Sequence, residues 1–523
     1  DDIFGQALRA APADVAYLPF VAISDASLSG VVRDSEGVVP GARVRVQTTT
    51  RSTWTDAGGR FTLSGLDPDR PIRVTAWADG YYIGGGEAHL PGRDEITIFL
   101  TPLPGEDNRS YSWLSAHAAA GQENNCQNCH SDATGRLPYD EWLADAHAGS
   151  ATNGRFLNMY LGTDRFGNQS PPTRISCGPD YGCKPLPPDR SKPYFGPGYK
   201  LDFPDVAGNC ASCHTPAAAA NEPLGVDPSS VSGVGAEGIT CDFCHKVWAV
   251  KLDPASGLPW ENMPGVLSYE LRRPADGHQF FAGPFDDVAP GEDAYSPLQK
   301  ESAYCAPCHT AVFWDTRVYN SYGEWLASPY SDPESGQSCQ ECHMPSSEAS
   351  YFARHDKGGL KRNPETIAGH RMPGAGDEAL LQSAVSMAVQ VGRENGQVIV
   401  TIEIANAQTG HHVPTDSPLR HLLLLVQATD GTGAALEHID GPTVPTRGGV
   451  GDPGAGYYAG QPGTGYAKIL KELWTNVSPT GAYWNQTVVL SDNRIPAMGS
   501  STTSYTFTDA SGPVTLHVRL LFR

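Results

Sequence analysis

The chain has 523 residues, with 37 Lys and Arg against 58 Asp and Glu, a formal net charge of −21. That balance disfavours nucleic acid and anionic lipid surfaces as partners, and no run of about 18 apolar residues marks a membrane span. The length has room for about three domains, and 57 Gly and 43 Pro predict many loops and little long regular structure.

Residues 1–27 carry no clear periodicity and read as an N-terminal arm. The sequence opens on Asp1 with no visible signal peptide, so it is expected to be the mature form of an exported protein, periplasmic or extracellular. From Leu28 the texture turns to short alternating segments. Ala42-Arg43-Val44-Arg45-Val46, Arg60-Phe61-Thr62-Leu63, Ile72–Ala76 and Ile96–Leu100 predict strands, with turns at Glu36-Gly37 and Thr55–Gly59. A small β-sandwich over 28–104 follows. The string G-V-V-x-D, G-A-x-V-x-V, T-D-x-x-G-x-F-x-L-x-G-L resembles the carboxypeptidase-regulatory-like (transthyretin-like) module. The resemblance implies an accessory or docking domain without chemistry. His89 is its one histidine and a weak ligand candidate.

Residues 105–380 carry the chemistry. Five copies of C-x-x-C-H occur: Cys126, Cys129 and His130; Cys210, Cys213 and His214; Cys241, Cys244 and His245; Cys305, Cys308 and His309; Cys339, Cys342 and His343. This is the attachment signal for c-type haem. Two thiols add across the vinyl groups, and the adjacent His becomes the proximal iron ligand. Zinc or thiol redox chemistry explains one copy but poorly explains five that all end in His. A domain of five haem c groups is expected, with a structural calcium considered but given no residues. Short separations, Cys210 to Cys241 and Cys305 to Cys339, predict that haems 2 and 3 are neighbours, and haems 4 and 5 likewise.

Twelve cysteines minus ten in the motifs leave Cys177 and Cys183. They bracket a turn-forming stretch and are expected to form a small-loop disulfide in an oxidising compartment.

Each iron needs a sixth ligand, and only six Met are present, so bis-histidine ligation is the default. His117 and His147 follow related Trp-Leu segments (Trp113, Trp142) that are expected to be short helices. Tyr322–Ala327 is a third copy, in which Pro329-Tyr330 stands in place of a histidine. His370 lies in Gly369-His370-Arg371-Met372-Pro373, and His411 in Gly410-His411-His412-Val413-Pro414, frames that fix a ring direction. His355 and His278 are further candidates, and His412 rivals His411. His421, His438 and His517 lie in or near predicted strands and are set aside. From about Leu381 to Arg523 the pattern is all β: Met387, Val389 and Val391, an Asn395-Gly396 hairpin turn, Val398–Ile404, His421–Val426 and Thr515–Phe522. A second β-sandwich over 381–523 contributes a haem ligand loop.

The order W-x-x-x-H, C-x-x-C-H, W-x-x-x-x-H, further C-x-x-C-H copies, C-x-x-C-H-M-P, G-H-R-M-P-G and N-x-x-x-G-H-x-x-P-T resembles the cytochrome c554 and hydroxylamine oxidoreductase superfamily over roughly 105–523. The resemblance implies that His411 and His117 are axial ligands. It has one departure: relatives often carry a His shortly before the fourth motif, and Asp286–Lys300 has none. One iron is then left to His278, to another subunit, or open. The fold expected is a multidomain chain, a loop-rich, sparsely helical pentahaem cytochrome c domain flanked by two β-sandwiches. The function expected is extracytoplasmic electron transfer with redox partner proteins, in a polymer or a larger complex. The alternative is a multihaem oxidoreductase acting on a small nitrogen or sulfur compound at one open haem. No C-x-x-C-K occurs, which favours a carrier over a substrate-converting enzyme.

Overall fold

A computed structural model of the chain describes residues 26–93, 95–119, 121, 123–288 and 292–523. The expected arm falls almost wholly outside these. The chain divides into two compact units. One comprises the described residues up to Leu103 with the short segment that starts at Asp286; the other comprises the rest.

The first unit is a two-sheet sandwich. One sheet runs in the order Arg60–Leu66, Ala26–Arg33, Glu95–Phe99, the other in the order Ser52–Trp54, Arg43–Val46, Ile72–Trp77, Gly84–His89. Alternation along each strand sends Val32, Val44, Phe61, Leu63, Val74 and Ile98 into one core. Gly30 and Gly84 allow close strand approach: a Cβ would meet the Ile96 and Phe99 carbonyls at 2.2 Å. The segment at Asp286 is stitched to this sandwich. Asp286 accepts from Arg45 at 2.7 Å and pairs with Arg43 at 3.2 Å, and the Asp287 carboxylate accepts from the Thr48 amide at 2.6 Å.

The second unit is mostly loop around the five motifs. Four motifs each form one helical turn: Cys126–His130, Ala211–His214 after Cys210, Cys241–Lys246 and Cys339–His343. Side-chain caps start three of them, from Asn125, Thr240 and Ser338, the last in a reciprocal capping box with Glu341. The fourth motif begins at the end of the 3-10 turn Ser302–Cys305. Spacings of three and four residues put both thiols and the imidazole on one face of each turn. The Tyr139/Trp142 and Tyr322/Trp325 segments are helices (Pro138–Leu143, Ser321–Leu326), but Trp113–His117 is not helical, and His147 lies in the turn after its helix. Cys177 and Cys183 are bonded across the hairpin of Ile175–Gly178 and Gly182–Pro185.

The C-terminal strands form two sheets. One is ordered Ser386–Glu394, Gln397–Ala405, Ser500–Thr508, His438–Asp440; the other Gly463–Tyr466, Leu422–Thr429, Thr515–Phe522. Asn395 and Gly396, with φ of 52° and 74°, make the tight hairpin turn. Val398, Val400, Ile402 and Ile404 are fully buried against Leu422, Leu424 and Val426. Leu423 and Leu425 are buried on the opposite face of the same strand against Val444. Ser386–Glu394, by contrast, is an exposed edge: Met387, Val389 and Val391 keep 41, 40 and 56 % of their exposure. A hairpin of Lys468–Glu472 and Thr487–Asp492 carries Leu470, and with Tyr483 and Trp484 from its connection it joins an aromatic cluster of Phe156, Tyr160 and Tyr199.

Truncating Ile402 to Ala should cost about 2–5 kcal/mol, the range for a fully buried branched side chain, read as a fall in the denaturant midpoint of the β-domain transition. A loss below about 0.5 kcal/mol would mean that this face is not a packed core.

Candidate functional site

Four of the five motif histidines share one device. His130, His245 and His343 place Nδ1 2.7, 2.6 and 2.7 Å from the backbone carbonyls of Phe352, Ala282 and Pro373, and His214 at 3.4 Å from that of Ser150. A carbonyl only accepts, so Nδ1 carries the proton and donates. Nε2 is left with its lone pair, the state that a metal needs. His309 differs. Its Nδ1 faces a carboxylate, Asp416 Oδ2, at 3.5 Å.

Three of these rings have a second histidine ring opposite. His343 and His411 have centroids 6.2 Å apart with planes at 14°. His245 and His370 stand 6.5 Å apart at 24°, and His147 and His309 6.5 Å apart at 85°. A metal held by two imidazoles at about 2 Å each separates the ring centroids by roughly 6 Å. Direct stacking would bring them much closer, as in Phe156 on His214 at 3.7 Å and 1°. The three pairs therefore have the spacing of opposed ligands. Among the described residues His130 and His214 have no histidine ring at this spacing.

His147 donates Nδ1–H to Asp145 Oδ1 at 2.6 Å, and His411 donates to the His412 carbonyl at 3.0 Å. His370 is positioned through its backbone, whose amide donates to Glu141 Oε2 at 2.7 Å. The glycines before His370 and His411 serve close packing. A Cβ at Gly369 would meet the Pro345 carbonyl at 2.4 Å, and one at Gly410 would meet Trp325 at 2.9 Å. His117 lies near the first motif: the Cys126 and Gln127 amides donate to the Ser115 and Ala116 carbonyls, and the His117 Nδ1 is 2.8 Å from the Tyr139 hydroxyl. His355 is exposed beside motif 1, in the segment whose Phe352 carbonyl holds His130 and whose Arg354 amide bonds the Cys129 carbonyl. His278 is exposed in a turn and faces no motif histidine. Sequence reasoning left the fourth motif short of a partner, but His147, from far upstream in the chain, faces His309. The shortfall moves to motifs 1 and 2.

The motif sulfurs fix which motifs touch. The thiols of Cys126 and Cys241 lie against each other, as do Cys213 with Cys308 and Cys305 with Cys339. Motif 4 thus meets motifs 2 and 5, and its Cys308 also acts on Cys244 of motif 3. Motifs 4 and 5 are neighbours as the spacing implied. Motifs 2 and 3 share an apolar cluster through Ala211 and Phe243, but the sulfur contact of motif 2 is with motif 4. Chain separation limits reach and does not set direction.

Burial lowers the pKa of His130, His245 and His343, and that of His214 to about 4. Burial acts the same way on His309, but the Asp416 carboxylate outweighs it and holds the ring up at about 9. Around motif 2, Cys210 packs with Phe313 and Tyr319, beside a Tyr319–Tyr483 hydroxyl pair, with Tyr483 raised by burial.

Several contributing residues were missed in the sequence. Glu324, nearly buried, accepts from the His412 amide at 3.1 Å and from Thr415, and pairs with Arg494 at 2.7 Å. Arg494 is held in turn by Asp492 at 2.7 Å. This network clamps the loop that presents His411. Buried Lys246 pairs with Asp242 one helical turn back and sits 4.2 Å over the Phe281 ring, braced behind His245. The D and K flanking positions of C-D-F-C-H-K were the available signal for that pair; nothing local marked Glu324. Beyond these, no three His, Cys, Asp or Glu side chains converge as a metal cage among the described residues, for zinc or for calcium.

Residues 27–91 match the family model of the carboxypeptidase regulatory-like domain, which corresponds to the N-terminal sandwich alone. No curated protein matches the chain. Among solved structures, a penta-heme cytochrome c552 from Thermochromatium tepidum is similar at 20% identity over 76% of this chain and 90% of that one, with a TM-score of 0.48. No helix among the described residues is long and apolar enough to cross a membrane.

Replacing Arg494 with Met should cost about 3–5 kcal/mol, because it strands the buried Glu324 charge. Pairing it with Glu324→Gln should recover a large part of that loss. Equal thermal midpoints for wild type and Arg494→Met would show that the clamp carries no energy.

Proposed function

We propose that the chain binds five c-type haems through its C-x-x-C-H motifs and transfers electrons among them outside the cytoplasm. The observation that carries this reading is the opposition of His147, His370 and His411 to three motif histidines at the spacing of a bis-imidazole site. The haem iron supplies one-electron chemistry with little change in its ligand shell. The chain's own residues do the rest. Ten cysteines tether, five histidines held at Nδ1 ligate from the proximal side, and three opposed histidines close the far side. The contacts among motif sulfurs support a continuous path running from motif 1 through 3 and 4 to 5, with motif 2 branching at motif 4. His117 is the remaining candidate for motif 1. Redox partner proteins, or further copies of the chain in a polymer or larger complex, would exchange electrons at the ends near motifs 1 and 5.

A second reading concerns motif 2. His214 has no opposed histidine among the described residues, and the Tyr319–Tyr483 hydroxyl pair packs near Cys210. A haem left open there would bind a small nitrogen or sulfur compound and make the chain an oxidoreductase. Cyanide separates the two: tight binding to one ferric haem supports the open site, and none supports a pure carrier.

Intact mass after denaturation should exceed the polypeptide by five haems. A bare polypeptide mass, or zinc released by acid, would end the proposal. His411→Ala should turn one haem high-spin while His278→Ala turns none. If His412→Ala has that effect in place of His411→Ala, the ligand is the neighbour. For assembly, size measurements in moderate salt should show particles well above monomer mass; a monomer would leave the soluble carrier.

A further inference from the structure

The motif-4 pair stands apart from the others in what lies behind its rings. His147 donates Nδ1–H to Asp145 Oδ1 at 2.6 Å, and the Asp145 side chain is only 4 % exposed. His309 Nδ1 faces Asp416 Oδ2 at 3.5 Å. Both opposed imidazoles therefore have an anionic carboxylate behind them. In the other two pairs the rings have neutral partners or none. His245, His343 and His411 face carbonyls, and the buried His370 Nδ1 has no partner among the described residues. The Asp416 charge is only partly offset: Arg420 stands 3.7 Å away, and the other carboxylate oxygen, Oδ1, is buried without a hydrogen bond.

A carboxylate behind a ligating imidazole draws its Nδ1 proton and makes Nε2 a stronger donor. Stronger donation, and two negative charges nearby in a medium of low dielectric, stabilise the ferric over the ferrous state. Resting on the five-haem reading, we propose that Asp145 and Asp416 make the motif-4 haem the lowest-potential centre of the chain. Its oxidation passes one electron to an adjacent haem, and the positive charge left on the iron is the charge that these carboxylates stabilise. The position gives this consequence. Motif 4 is where the sulfur contacts of motifs 2 and 5 meet, with motif 3 close by. A low-potential centre there forms a step that electrons must climb between the motif 1–3 arm and motifs 2 and 5. The two aspartates thus act as positioning and tuning residues for the rate and direction of flow. Asp416 also belongs to the loop that carries His411, so one segment reaches two haems.

The test uses the holoprotein and reads potentials haem by haem. Opposed imidazoles with planes near perpendicular give a low-spin ferric electron paramagnetic resonance signal with a very large highest g value. Near-parallel planes give ordinary rhombic signals. Only the motif-4 pair is near perpendicular among the three, at 85° against 24° and 14°. The large-g signal should vanish in His147→Ala, which assigns it. In potentiometric titration it should have the lowest midpoint. Asp416→Asn and Asp145→Asn should each move that midpoint upward by more than any rhombic signal, with smaller upward shifts at motif 5 from Asp416, which also acts on His411, and at motif 3 from Asp145, which also acts on His370. A smaller upward shift is expected at motif 2, since Asp416 also acts on His214. The two variants lie in different segments, so misfolding of one leaves the other to decide. A large-g midpoint that is not the lowest, or that stays put in both variants, overturns the inference while haem binding stands. Absence of every low-spin haem signal overturns the five-haem reading as well.

Discussion

The arrangement of the second unit depends on one constraint: a motif imidazole presents Nε2 to a metal in a fixed direction when its Nδ1 side is held. In a loop-rich chain that hold cannot come from long helices. It comes from backbone carbonyls delivered by distant segments, Phe352 to His130, Ala282 to His245 and Pro373 to His343. Each of these bonds spans 30 residues or more of sequence. The loops between motifs are therefore structural parts that terminate on the histidines, and the helices and strands among them are short.

The C-terminal strands extend the same logic. Their sandwich has an ordinary alternating core, but its loop from Asn406 to Asp416 faces the motifs. Glu324, from the helix between motifs 4 and 5, holds this loop through the His412 amide and Thr415, while Arg494 and Asp492 neutralise Glu324. Burying the Glu324 and Arg494 charges is costly unless each is paired, and here each is, with the exposed Asp492 as a second partner of Arg494. The clamp ties a β-domain to the helix beside motif 4, so the ring of His411 inherits the rigidity of both. Among the described residues, the N-terminal unit carries no comparable constellation. Its own ion pairs, Arg43 and Arg45 to Asp286, capture a segment from the middle of the chain.

Much was legible in the sequence. The C-x-x-C-H spacing fixes the helical turn, and alternation at Val398–Ile404 fixes a buried strand face, because both depend on residues close in sequence. His147 stood out through its Trp-Leu segment and His370 and His411 through their turn frames, and each faces a motif ring. What could not be read was pairing at a distance. The gap before motif 4 suggested an unpartnered iron there, yet His147 comes from far upstream to face it. Local patterns also overstated regularity: Trp113–His117 repeats the letters of a helix but is not helical. Ser386–Glu394 alternates like a half-buried strand, yet it lies at a sheet edge with both faces exposed.

Anomalous diffraction from crystals of the holoprotein at the iron absorption edge tests the central claim most directly. The account predicts five iron peaks, three of them midway between His147 and His309, His245 and His370, and His343 and His411. Fewer than five irons, or any of these three ring pairs without a metal between them, would contradict it.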